Sequence, residues 1–147
     1  MKDTKPMIEV KDLRKWFPIR AGVFSRPVGE VKAVDGISFE VGRKETLSIV
    51  GESGCGKTTA GRSLLRLIEP TAGSALYRAD PMSEPVDLFK LSPAEMRKRR
   101  DDLQIIFQDP YGSLNPRITV GNAIAEPLAV RGIAQGSELQ DRVEELL

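Results

Sequence analysis

Gly51-Glu52-Ser53-Gly54-Cys55-Gly56-Lys57-Thr58 fits the pattern G-x-x-x-x-G-K-[ST]. Each residue type has a physical job in that spacing. Glycines let the backbone curl until successive N–H groups converge on one point, which makes a cradle for phosphate oxygens. Lys57 supplies a point charge that can reach the β- and γ-phosphates of a triphosphate, and the Thr58 hydroxyl can ligate Mg²⁺. Cys55 reads as a small residue tolerated in the loop, with a reactive thiol at a helix N-terminus as the competing role. With no histidine in the chain, acid–base or triad chemistry based on imidazole is excluded. The lone cysteine can form no internal disulfide, and no Cys/His cluster suits zinc.

A phosphate cradle needs a strand before it and a helix after it. Residues 46–50, Thr-Leu-Ser-Ile-Val, are rich in β-branched types and predict the strand. The helix is predicted from Lys57 to about Ile68, with Ala60, Leu64, Leu65 and Ile68 on its apolar face and Pro70 and Gly73 beyond its end. Its positive N-terminal end would face the phosphates.

Around that unit the pattern predicts short strands at 8–10, 31–41 and 75–77, with loops at 20–30 and 78–84. Ser92-Pro93-Ala94-Glu95 is a capping-box start for a helix ending near Arg100. Residues 103–107 read as an apolar strand and 108–117 as a loop; 120–130 reads as partly helical, broken at Pro127. Ser137 with Gln140 suggests a second capping box, and Leu139, Val143, Leu146 and Leu147 repeat with helical spacing. The pattern stops on two leucines with no cap signal, so the sequence is expected to be truncated within a helix. The basic run Arg97-Lys98-Arg99-Arg100 is read as a solvated face complementing a helix C-terminus rather than a nucleic-acid patch.

The 147 residues carry 22 basic and 21 acidic side chains, a net charge of +1. That balance argues against bulk attraction to nucleic acid or anionic lipid, and any anion site must be local. Residues 1–6 lack the apolar core of a signal peptide, and no stretch approaches a membrane span, so a cytosolic location is expected. A membrane role would need separate membrane-spanning partners.

The stretch GESGCGKTTAGRSLLRLIEPTAG resembles the phosphate-loop region of ABC-transporter ATPases, and LQIIFQDPYGSLNPRITVGNAIAEPL resembles their Q-loop region. QDPYGSLNPR and KWFPIRAGVFSRPVGEVKAVDGISFEV resemble the oligopeptide, dipeptide and nickel importer group in particular. The resemblance covers about 8–147. It implies an α/β fold, a P-loop NTPase core of the ABC ATPase type with an N-terminal antiparallel β subdomain, incomplete at its C-terminus. The whole chain, 1–147, would be the N-terminal part of one nucleotide-binding domain, with a helical subdomain beginning near 120–147.

Carried over residue by residue, the resemblance implies that Gly51, Ser53, Gly54, Cys55, Gly56, Lys57, Thr58 and Thr59 bind ATP and Mg²⁺. Gln108 matches the Q-loop glutamine, which contacts Mg²⁺ and the attacking water and senses the membrane subunit. Phe17 matches the aromatic that stacks on adenine, with its neighbour Trp16 as the alternative. The loop after Gln108, through about Val120, would lie near the transmembrane surface. The implied partners are transmembrane permease subunits, a second ATP-binding subunit in a homo- or heterodimer and, indirectly, an extracytoplasmic substrate-binding protein. The implied location is the cytoplasmic face of the membrane.

Within these 147 residues there is no LSGGQ-like signature and no run of four apolar residues followed by Asp-Glu. By the family mechanism this stretch alone is expected not to hydrolyse ATP, and residues 46–50 are expected to have unpaired edges and poor cover. A remnant that at most binds nucleotide is therefore a competing reading. A small P-loop kinase using Asp109 for Mg²⁺ is another, with no assignable acceptor site or lid.

Overall fold

The computed structural model describes residues 5–22, 25–107 and 115–147. It divides into two compact units, Met1–Gln104 and Ile105–Leu147. Among the described residues no helix is long and apolar enough to cross a membrane.

The first unit is built on a four-stranded antiparallel sheet of order β2-β1-β3-β4, from β1 (Ile8–Ala21), β2 (Arg26–Val41), β3 (Ala72–Tyr77) and β4 (Val86–Asp87). The predicted loop at 20–30 is largely strand. β1 and β2 form a long hairpin in which Ile19 faces Gly29 and Ala21 faces Arg26. Gly22, Pro27 and Gly29 carried the loop reading, yet pairing with β1 makes strand of most of this stretch. Pro18 has no N–H to give a ladder, but β3 pairs with β1 only as far as Arg14, so Pro18 lies beyond the sheet's central stretch.

β1 supplies Val10 and Leu13 to the core, on either side of a bulge, and β2 supplies Val34. Val10, Leu13, Val34, Ala75, Tyr77, Leu88 and Met96 are buried around it, with Ala60 from the helix above. The hairpin bends through bulges. At one of them Asp12, at φ 50°, donates its N–H to Ser38 Oγ.

Helix α1 spans Lys57–Leu64, four residues short of the predicted end. A Schellman turn stops it: Leu67 N–H donates to Arg62 O at 2.9 Å and Arg66 N–H to Ser63 O at 3.0 Å. The left-handed position, φ 49°, falls to Arg66 rather than to a glycine. Its guanidinium is tied to the Leu88 and Leu91 carbonyls and to Glu69, which holds the residue there. Ser63 is fully buried on α1 and its hydroxyl has no partner among the described residues. Ser63→Ala removes that unmatched group, so it is expected to raise stability by about 1 kcal/mol, read as a higher Tm.

Helix α2 (Pro93–Arg99) carries the predicted capping box: Glu95 N–H donates to Ser92 Oγ, and Ser92 N–H donates to Glu95 Oε2 at 2.8 Å. The Ser92 hydroxyl, and then its N–H, hold the Glu95 carboxyl below the usual carboxylate range.

Neither predicted strand at 46–50 nor that at 103–107 forms. Neither segment pairs with another among the described residues. Apart from Leu103, which packs against the core, their side chains are exposed, Val50 at 90% and Ile106 at 97%. A β-branched run favours extended backbone, but a strand exists only where a neighbour supplies the ladder.

The second unit holds α3 (Val120–Val130) and α4 (Ser137–Leu146). Thr119 caps α3 by accepting from Asn122 N–H at 3.3 Å. Pro127 does not break α3: the helix runs through it, and Arg131 N–H still reaches Pro127 O. The capping box expected at Ser137 is not formed. Gly136 is the N-cap and Ser137 is already helical, so its hydroxyl is one residue too late. Val143 on α4 faces Gly121 on α3.

Candidate functional site

The phosphate-loop residues stand together at the start of α1. Gly54 and Gly56 both take left-handed conformations, φ 82° and 96°, where any other residue would be strained. Cys55 N–H closes a turn onto Glu52 O. Gly56 is the N-cap of α1, with no side chain capping the helix and no acidic residue in its first turn. The first N–H groups of α1 are thus left for another acceptor, which suits an anion.

Lys57 reaches back across this loop. Its Nζ donates to Gly51 O at 2.8 Å and to Glu52 O at 2.7 Å, and lies 3.6 Å from Cys55 Sγ. The ammonium is therefore already held at the loop. Thr58 is exposed, with its hydroxyl free to meet solvent or an ion, while Thr59 is half-buried. Among the described residues no group of three or more His, Cys, Asp or Glu is placed to hold a metal.

The loop is seated on β2. A Cβ built on Gly56 would lie 2.1 Å from Ala33 O, closer than any side chain permits. Ala33 is the extra residue of a bulge: Lys15 faces Val34 and Trp16 faces Lys32, which leaves Ala33 without a partner. Sequence pattern carried no signal for this contact.

Two residues further from Ala33, Val31 pairs with Phe17. Phe17 therefore sits on the strand pair that carries the phosphate loop. The structure separates the two aromatics. Trp16 donates its indole N–H to Asp35 Oδ1 at 3.0 Å, and Lys32 and Arg14 lie over its ring at 4.6 and 5.9 Å. Among the described residues only Lys15 lies over the Phe17 ring, at 4.8 Å, and Phe17 remains 38% exposed. Of the two, Phe17 is the more exposed residue. Gln108 and Asp109 lie outside the described residues, as do residues 110–114 of the loop that follows them.

An open apolar cleft of about 190 Å³ runs between Phe39 and Val41 of β2, Leu47 and Ile49, and Ala60 and Leu64 of α1. It marks the face on which the 46–50 segment and the helix lack cover.

A family model described as "ABC transporter" matches residues 34–147. The oligopeptide transport ATP-binding protein AppF of Bacillus subtilis (strain 168) is 48% identical over 142 residues, which cover 96% of this chain and 41% of that protein. The glutathione import ATP-binding protein GsiA of Escherichia coli (strain K12) is 44% identical over 145 residues, 99% of this chain and 22% of that protein. The chain thus spans well under half the length of these relatives. Among solved structures, the dimeric bacterial ABC transporter cassette MJ0796 aligns with TM-score 0.68 at 26% identity, over 95% of this chain and 55% of that one. The same cassette is also known in a post-hydrolysis state bound to ADP and Pi. The cbiO1 protein of Clostridium perfringens, part of the cbiONQ complex, has the same fold, with TM-score 0.61 at 22% identity over 95% of this chain and 48% of that one.

Proposed function

The chain belongs to the ABC transporter family, and from that premise we propose that it is the nucleotide-binding part of a subunit that powers import of small peptides. The observation that carries this reading is the loop itself. Gly51–Thr58 curls onto an uncapped helix start, with Lys57 held over it and Gly56 seated on the strand pair that bears Phe17.

In this reading Gly51, Ser53, Gly54, Cys55 and Gly56 present backbone N–H groups to the triphosphate, and Lys57 and Thr59 hold its outer oxygens. Phe17 stacks on adenine. Thr58 is the protein's ligand to Mg²⁺, joined by Gln108; the bound ion neutralises phosphate charge. Gln108 also reports the nucleotide's state to transmembrane permease subunits through the loop that follows it. Turnover draws its water-activating carboxylate and signature loop from segments other than these 147 residues, in a homo- or heterodimer of ATP-binding subunits. The second unit is the start of a helical subdomain. The subunit works at the cytoplasmic face of the membrane, and an extracytoplasmic binding protein delivers cargo. The peptide class of that cargo is supported by relatives named for oligopeptide transport and glutathione import.

The test is peptide uptake by vesicles holding the full subunit, its ATP-binding partner and its permease, with the extracytoplasmic binding protein supplied. ATP should be required, and Gln108→Ala should leave ATP binding within about twofold while cutting uptake at least about tenfold, since the phosphate loop still holds the triphosphate while the contact to the ion, the attacking water and the permease is lost. Peptide uptake that proceeds equally without the subunit would overturn the importer reading.

A further inference from the structure

Three cations lie over aromatic rings on the β1–β2 hairpin, and one of them differs from the others. Lys32 pairs with Asp35 and Arg14 pairs with Asp12, so the two over Trp16 have counter-charges. Among the described residues the Lys15 ammonium has no carboxylate partner; what it faces is the Phe17 ring, 4.8 Å from the centroid. Lys15 and Phe17 are two residues apart on β1 and so leave the same face of the strand. Across the hairpin Phe17 is paired with Val31, which is 52% exposed.

From this geometry we infer that Lys15 is a positioning residue for the nucleotide's base, acting through Phe17. The inference rests on the reading of Phe17 as the base platform. Lys15 occupies one face of the ring and so leaves the other for the base. A cation on one face also draws π density toward itself, which makes the opposite face less electron-rich. Two π-faces repel through their like quadrupoles, so a ring depleted in this way stacks better on a purine.

The experiment compares dissociation constants of ATP and of tripolyphosphate, which has no base, for the full subunit and four variants: Lys15→Met, Lys15→Arg, Phe17→Ala and the Lys15→Met/Phe17→Ala pair. Lys15→Met keeps the aliphatic stem and removes the charge. It should weaken ATP about two- to fivefold, leave tripolyphosphate unchanged, and be rescued by Lys15→Arg. In the Phe17→Ala background, itself about tenfold weaker for ATP, Lys15→Met should add nothing. Equal weakening of ATP and tripolyphosphate would mean that Lys15 attracts phosphate at a distance, and would overturn the inference. So would a tenfold loss in Phe17→Ala beside no loss in Lys15→Met, which leaves the platform intact. ATP binding unchanged in Phe17→Ala would overturn the platform reading and the inference with it.

Discussion

Lys57→Ala is expected to weaken ATP binding by roughly 30- to 1,000-fold, the equivalent of about 2–4 kcal/mol for one or two charge-assisted bonds to phosphate. Lys57 has two connections in the structure. It follows Gly56 as the first residue of α1, and its ammonium bonds the carbonyls of Gly51 and Glu52. A loss of binding could then reflect a lost charge or a loosened loop, and thermal stability separates them. Those carbonyls belong to exposed residues and can turn to water when the ammonium goes, so Tm should move by no more than about 2–4 °C, corresponding to under 1 kcal/mol. Lys57→Arg should fail to restore full affinity, because a planar guanidinium on a longer stem does not replace a compact ammonium held inside a loop. ATP affinity within twofold of the parent in Lys57→Ala, by calorimetry or a fluorescent analogue, would remove the phosphate-loop assignment.

How much of this was legible beforehand follows the range of the interactions involved. The phosphate loop, α1 and the α2 capping box were readable because each is closed by bonds between residues within a few positions of one another. The 46–50 and 103–107 segments were read as strands from composition, yet a ladder depends on a partner that no local pattern contains. The hairpin arm failed in the opposite direction: Gly22, Pro27 and Gly29 read as loop, while register with β1 made strand of most of it. The seating of Gly56 on Ala33 was invisible for the same reason, because it depends on where a bulge falls in that register. Arg66 is a further case. Its side-chain bonds to the Leu88 and Leu91 carbonyls, more than twenty positions away, place a left-handed turn where the sequence has no glycine.

Gly56→Ala should be the most damaging of the glycine substitutions in the loop, and the reason is two-fold. Its φ of 96° is one an L side chain rarely adopts, and the new Cβ would meet the Ala33 carbonyl oxygen at 2.1 Å, which is backbone and cannot swing aside. Gly54→Ala is the control for the first effect alone, since φ there is 82° and nothing lies within 4 Å. Gly51→Ala tests the second in mild form, because the atom met at 2.6 Å is the exposed Cys55 Sγ, at the end of a rotatable side chain. Conformational strain alone is worth about 1–2 kcal/mol, whereas strain plus a backbone clash is expected to exceed about 3 kcal/mol. Denaturant unfolding of the full subunit should therefore place Gly56→Ala well below Gly54→Ala, with Gly51→Ala the least affected. The consequence for binding is separate from stability. To relieve the clash the loop must move off β2, and β2 is the strand whose Val31 pairs with Phe17. Phosphate cradle and base platform would then lose their fixed separation. Folded Gly56→Ala protein should bind tripolyphosphate better than its ATP affinity implies, so that the advantage of ATP over tripolyphosphate shrinks. Equal unfolding free energies for Gly56→Ala and Gly54→Ala would show that Ala33 does not seat the loop.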